Sequence, residues 1–208
     1  MAYNSYRPSQ STTPVVLNLI IINVLIYFVE QVFDKPIIGD LNWTTLTFGL
    51  YSIDSGLFKP YQLVTHLFLH GGFFHILFNM YALWIFGSVL ERTWGPKKFL
   101  IFYLVCGLAA GLTQMFFVSG GPAIGASGAI MGLLAAFAYT FPNIEFFIIP
   151  VPFPIKAKYM AAIYAAIDLF SGFSGSSDGV AHFAHLGGLV MGLILVFIWN
   201  KTNKKTFY

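Results

Sequence analysis

The sequence predicts an all-α fold, a polytopic membrane protein built as a bundle of six transmembrane helices with an interfacial loop between the first two spans. Three observations carry this. Of the 208 residues, 57% are hydrophobic and only 9% are charged, too few charged side chains to cover a soluble domain of this size. The chain also divides into six apolar runs, residues 14–33, 73–92, 98–118, 126–142, 157–173 and 181–199, each near the roughly 20 residues that cross about 30 Å of hydrocarbon. Finally, the basic residues are sorted. With both termini cytoplasmic, the inner segments hold Arg7, Arg92, Lys97, Lys98, Lys156, Lys158, Lys201, Lys204 and Lys205, nine of the eleven. Only Lys35 and Lys59 fall outside, as the positive-inside rule requires.

Residues 1–13 are polar, without apolar period, and read as a mobile cytoplasmic tail. Residues 14–199 read as one membrane domain and 200–208 as a basic cytoplasmic tail. The first apolar run is too long for a signal-peptide core and lacks a small-residue cleavage site, so it is expected to be a retained span. The segment 34–72 mixes Asp34, Asp40 and Asp54 with Trp43 and Tyr51. That polarity suits a helical hairpin lying in the interface, with its rings in the headgroup belt.

The second span closes on Glu91 and Arg92, expected as a solvated pair at its cytoplasmic end, and Trp94 and Trp199 fit interfacial anchors. The fourth and fifth spans are short, so their ends should be buried in protein or water rather than lipid. Four prolines in "FPNIEFFIIPVPFPIKAKY" break any helix and leave a semi-rigid cytoplasmic connection. "SGFSGSSDGV", residues 171–180, reads as a flexible outer loop. Cys106 is the single cysteine, so no internal disulfide can form, and no Cys/His spacing matches a structural zinc site.

Polar groups inside a membrane are costly, so each needs a reason. The five histidines fall in two groups, His66, His70 and His75 near the start of the second span, and His182 and His185 early in the sixth. Both lie on the outer side, where the fourth span also begins with Ser127 in "GPAIGASGAIMG". A serine hydroxyl is a weak nucleophile that needs a base within hydrogen-bond reach and donors for the oxyanion formed on attack. A helix N-terminus supplies such donors as free N–H groups at the positive end of the dipole. Gly128 and Gly132 give the fourth span a face without side chains, and His185, Gly188 and Gly192 share one face of the sixth. Two such faces let helix backbones approach closely, which can bring the His185 imidazole to Ser127. In "HILFN", His75 and Asn79 are spaced i, i+4 and both can donate to an oxyanion.

"GASG", "AHLGGLVMG" and "HGGFFHILFN", in this order of spans four, six and two, together resemble the rhomboid family of intramembrane serine proteases over roughly residues 58–195. The resemblance implies a six-helix bundle with a Ser/His dyad in a water-filled cavity that opens outward. It assigns Ser127 as nucleophile, His185 as general base and acid, and His75 with Asn79 to the oxyanion. It implies no acidic third member; no cofactor is expected, and no metal, since the spacing of His66, His70 and His75, four then five, does not place all three on one helical face. The expected partners are transmembrane protein substrates and membrane lipid, with no nucleic acid, and the compact six-span form implies a bacterial cytoplasmic membrane. Two departures stand out. The family often has Glu-x-Arg after the second span where this chain has Glu91, Arg92 and Thr93, and some members carry a tyrosine four residues after the nucleophile, where this chain has Met131.

His182 competes with His185 for the role of base, but the glycines three and seven residues after His185 mark its face as the contact face. His182 is expected near the cavity mouth or in the preceding loop. His66 and His70 are expected to bond loop carbonyls, with His70 also a candidate to line the water route. Asp168 in "AAIDLFSG" is expected to cap or bond backbone near the outer end of the fifth span. The rival reading is a noncatalytic relative that binds transmembrane clients. Other intramembrane chemistries lack their motifs, since neither His-Glu-x-x-His nor Gly-x-Gly-Asp occurs, and a transporter would need more paired intramembrane charges or interrupted repeats.

Overall fold

A computed structural model of the chain describes residues 13–38, 41–117, 121–147, 152–175 and 179–202. Much of both expected tails, residues 1–12 and 203–208, lies outside the described residues. The fold is a polytopic helical bundle. Its long helices are α1 (Pro14–Phe33), a second helix made of α4 (Phe73–Ala82), a π-helical turn (Leu83–Gly87) and α5 (Ser88–Trp94), then α6 (Pro96–Phe117), α7 (Ser127–Thr140), α8 (Ala157–Ser174) and α9 (His182–Thr202). Four of these, α1, Phe73–Trp94, α6 and α9, are long and apolar enough to cross a membrane. The apolar side chains Leu25, Phe28, Phe78, Ile101, Phe116 and Phe197 face outward, as a lipid solvent permits and water does not.

Proline and glycine set the helix starts. Pro14 begins α1, where its missing N–H costs nothing. Gly95, at φ +82°, turns the chain between α5 and α6, and Pro96 opens α6. The α1 start also corrects an expectation. Glu91 is not a solvated partner of Arg92: it is buried, and its carboxylate accepts from the backbone N–H groups of Val15 at 3.0 Å and Val16 at 2.9 Å. The first N–H groups of a helix lack internal partners and carry the positive dipole end, so a carboxylate brought from another helix satisfies both deficits. Arg92 remains exposed. Glu91→Ala should therefore cost about 3 kcal/mol, since each bond to a charged group contributes about 1.5–3 kcal/mol. Glu91→Gln, which keeps an acceptor oxygen, should cost about half as much. Thermal unfolding in detergent reads both, and a cost within the small range of a surface ion pair would contradict the buried role.

The outer segment is not a helical hairpin. It folds as a short antiparallel pair, β1 (Pro36–Ile38) with β2 (Leu41–Asn42), followed by α2 (Trp43–Phe48), a single 3₁₀ turn (Ile53–Ser55), α3 (Gln62–Thr65) and a second 3₁₀ turn (His66–Phe68). Its backbone is stitched to the segment before α7, because Leu50 and Ala123 exchange N–H···O bonds at 2.9 Å and Gly125 N–H donates to the His66 carbonyl at 2.8 Å. Tyr51 is buried rather than in the headgroup belt, whereas Trp43 is exposed. Trp94 is likewise buried, its ring 4.9 Å from Phe102 and 5.6 Å from Trp199.

The proline-rich connection contains a small hairpin, β3 (Glu145–Phe146) paired antiparallel with β4 (Ile155–Lys156), and residues 148–151 lie outside the described residues. Residues 171–174, expected as loop, continue α8 to its end at Gly175, whose φ of +68° terminates the helix. Residues 176–178 of that loop lie outside the described residues.

The short helix α7 is the centre. Ten of its fourteen residues are buried, as a helix apolar all round requires, and α6 and α9 flank it. The first turn of α8 is sunk in protein, with Ala157 and Met160 buried; Asp168 is its other buried residue, and Ile167, Leu169, Phe170 and Phe173 are exposed.

Candidate active site

The α7–α9 contact is made without side chains. A Cβ added to Gly188 would collide with the Gly128 carbonyl, and one on Gly192 would lie 2.5 Å from the Gly132 carbonyl oxygen. On the α6 side, a Cβ on Gly132 would lie 2.6 Å from Cys106 Sγ. Backbones this close leave no room for lipid, and the N-terminal ends of α7 and α9 are held at one level. There the Gln114 side chain of α6 accepts from the Ala184 N–H at 3.1 Å, satisfying one open donor in the first turn of α9.

Ser127 is the first residue of α7 and His185 lies in the first turn of α9. Ser127 Oγ and His185 Nε2 are 2.8 Å apart, within the range of an O–H···N hydrogen bond. Both are half-buried. Gly125, at φ +118°, makes the entry to α7 in a backbone conformation that side chains disfavour. A Cβ there would also lie 2.7 Å from His75 Nε2 and 3.8 Å from Ser127 Oγ, so His75 reaches across from α4 to the same point. His75 Nδ1 accepts from the Gly71 N–H at 3.2 Å. An accepting Nδ1 leaves the proton on Nε2, the nitrogen that lies beside Gly125 at the entry to α7. Asn79, one turn further, is buried, and its amide donates to the His75 carbonyl at 2.8 Å. It has no described hydrogen bond to Ser127 or His185.

Sequence reasoning missed the group behind His185. Among the described residues Asp168 of α8 bonds no backbone N–H: its Oδ1 lies 3.0 Å from His185 Nδ1 and 2.8 Å from His182 Nδ1. The carboxylate is buried, as is His182, which is in the first turn of α9 rather than in a loop. The three side chains bring their donor atoms within 4.8 Å of one another. A signal existed, because an acid inside an apolar run rarely lacks a partner, and two histidines were available. Met131, where a stacking tyrosine could stand, is half-buried against the core.

His66 and His70 lie in the outer loop and are buried. His66 Nδ1 donates to the Gln62 carbonyl at 2.7 Å, as expected of a structural histidine. His70 packs its ring 5.0 Å from that of His75. Burial pushes the His66 imidazole down to about 4, and burial together with the neighbouring His75 pushes that of His70 to about 4. In the unfolded chain they titrate near 6.5. Between these values the unfolded state binds the protons and the folded state does not, so stability is full above about pH 6.5 and falls as the pH drops towards 4. The loss is at most about 3 kcal/mol per residue. Melting temperatures measured in detergent from pH 7 to 4.5 should fall accordingly, and a flat profile would contradict the buried neutral state.

Comparison with known proteins agrees in kind with this geometry. A family model described as Rhomboid domain matches residues 57–202. The chain is 32% identical over 152 residues to Rhomboid protein 1, mitochondrial, of Saccharomyces cerevisiae, covering 69% of this chain and 43% of that protein. It is 33% identical over 149 residues to Rhomboid protease GlpG of Haemophilus influenzae, covering 71% of this chain and 74% of that protein. It is 27% identical over 209 residues to Rhomboid protease AarA of Providencia stuartii, covering 91% and 73%. The chain spans less than half the length of several of these relatives, the yeast protein and two from Arabidopsis thaliana among them.

Proposed function

The chain belongs to the rhomboid family, and from that premise we propose that it is an intramembrane serine endopeptidase, cutting peptide bonds in or beside the transmembrane segments of membrane proteins. The observation that supports this reading most is the 2.8 Å contact between Ser127 Oγ and His185 Nε2 at the open N-terminus of α7. A small residue chosen for packing alone has no need of an imidazole on its hydroxyl.

In the proposed mechanism His185 Nε2 takes the Ser127 proton as Oγ attacks the scissile carbonyl carbon. The developing oxyanion is met by the free Ser127 N–H at the helix terminus and by His75 Nε2–H. Asn79 is assigned to the same task through its second amide proton, the first being held by the His75 carbonyl. His185 then returns its proton to the leaving amine, and an acyl-enzyme on Ser127 remains. Water, deprotonated by His185, attacks the ester and frees the enzyme. A helical substrate hides its carbonyls in backbone hydrogen bonds, so the cut segment has to unwind, and small or helix-breaking residues near the scissile bond favour this.

We further assign both termini to the cytoplasm, since nine of eleven basic residues then lie inside, and count α7 and α8 as the remaining two of six spans. We assign it to a bacterial cytoplasmic membrane on its compact six-span form; the chain covers 73% and 74% of two bacterial relatives, 24% of a third and 43% of the yeast mitochondrial protein.

The test is labelling of the detergent-solubilised chain with a serine-directed fluorophosphonate, beside cleavage of a model transmembrane substrate. Labelling confined to Ser127 is the expected result. A chain that binds the substrate but neither labels nor cuts would instead be a noncatalytic client binder.

A further inference from the structure

Beyond a two-residue dyad, and resting on the protease reading above, we infer that Asp168 is a positioning residue that holds His185 as the base. The argument starts from cost. A carboxylate at membrane depth is expensive unless it is paired, and Asp168 is only 4% exposed. Its partners are specific, because one oxygen, Oδ1, sits between His185 Nδ1 at 3.0 Å and His182 Nδ1 at 2.8 Å. A carboxylate oxygen can only accept, so both rings present Nδ1–H to it.

That choice has a consequence on the far side of His185. With the proton on Nδ1, a neutral imidazole carries its lone pair on Nε2, and Nε2 is the atom that faces Ser127 Oγ. The hydroxyl then donates to a ready acceptor rather than meeting a second N–H. When His185 takes the serine proton and becomes cationic, the buried carboxylate stabilises that charge where no water competes. His182 holds Oδ1 from the other side and fixes the direction in which the carboxylate points.

The backbone is arranged to allow this contact. Gly172, one turn after Asp168 on α8, has no Cβ, and one placed there would lie 3.3 Å from the Phe183 ring and 3.5 Å from the His182 Cβ. The missing side chain lets the outer half of α8 lie against the start of α9. With Ile167, Leu169, Phe170 and Phe173 exposed, the Asp168 carboxylate is a polar tie between these two helices.

The test uses the full chain in detergent with a model transmembrane substrate, rates being normalised to active sites. Asp168→Asn keeps the shape of the side chain and carries the experiment should Asp168→Ala fail to fold. Asp168→Asn is expected to lower kcat by about 100-fold or more, within the usual contribution of positioned acid–base groups, with KM changed less than about 2-fold. Asp168→Glu should recover part of the rate. Nitrogen-15 spectra of labelled histidine, assigned with His185→Gln, should show His185 protonated on Nδ1 in the parent and not in Asp168→Ala. A purely structural aspartate would lower the melting temperature but leave kcat per site and the tautomer unchanged, and that result overturns the inference. Zinc retained by the parent, lost in Asp168→Asn and inhibitory until chelated, overturns it in favour of a metal site. If the parent neither cuts nor labels, the protease reading falls, and the spectra, which need no turnover, still judge the tautomer.

Discussion

Ser127→Ala is expected to abolish cleavage of a transmembrane substrate, by about 10⁴-fold or more, while leaving the protein folded. Covalent catalysis has no partial form, since without Oγ there is no acyl-enzyme for water to resolve. The hydroxyl's described hydrogen bond is to His185, and the residue in the cap position before α7 is Ala126. Losing the serine therefore removes no helix cap, and alanine is the better helix former. Stability should stay within about 0.5 kcal/mol of the parent. His185→Ala should fail to a similar degree. The double variant should be no worse than either single one, because groups that act as a unit lose their effect together. Cleavage by Ser127→Ala at the parental rate would sink the assignment of the nucleophile.

Gly188→Ala should have the largest effect of any single methyl addition, at the upper end of the overpacking range, about 3 kcal/mol. Its new Cβ would collide with the carbonyl oxygen and carbon of Gly128. These are backbone atoms in a helix, so no rotamer change relieves the clash, and α7 and α9 must part. Parting by even an ångström also stretches the 2.8 Å contact between Ser127 and His185, so activity should fall further than the folded fraction does. Gly121→Ala is the control, because nothing lies within 4 Å of its added Cβ. Melting curves and cleavage rates of the two variants check this, and a Gly188→Ala protein as stable and active as the parent would mean that the helices do not touch there.

How far the sequence could be read depended on whether the signal was periodic. The long helices begin and end within a few residues of their apolar runs, because lipid demands unbroken apolar segments and Pro14, Gly95 and Gly125 punctuate them. The faces carrying Gly128 and Gly132, and Gly188 and Gly192, were legible for the same reason, as spacing on a helix fixes direction. The outer segment was not legible. Its backbone pairs Leu50 with Ala123, more than seventy residues away, and a short mixed loop has no period to announce such a partner. Glu91 misled for a related reason: beside Arg92 it reads as a local ion pair, yet its partners are the Val15 and Val16 amides of another helix.

By itself, then, the sequence determined that this chain lives in a membrane as a helical bundle, which helices carry side-chain-free faces, and which serine and histidines belong to one end of that bundle. Those properties follow from composition and from the fixed geometry of one helix. Tertiary structure alone decided what stands behind His185, what caps α1 and which rings are buried. Each of these depends on the rotation and depth of one helix against another, and Asp168, on a span with few buried residues, meets His182 and His185 only once α8 has packed.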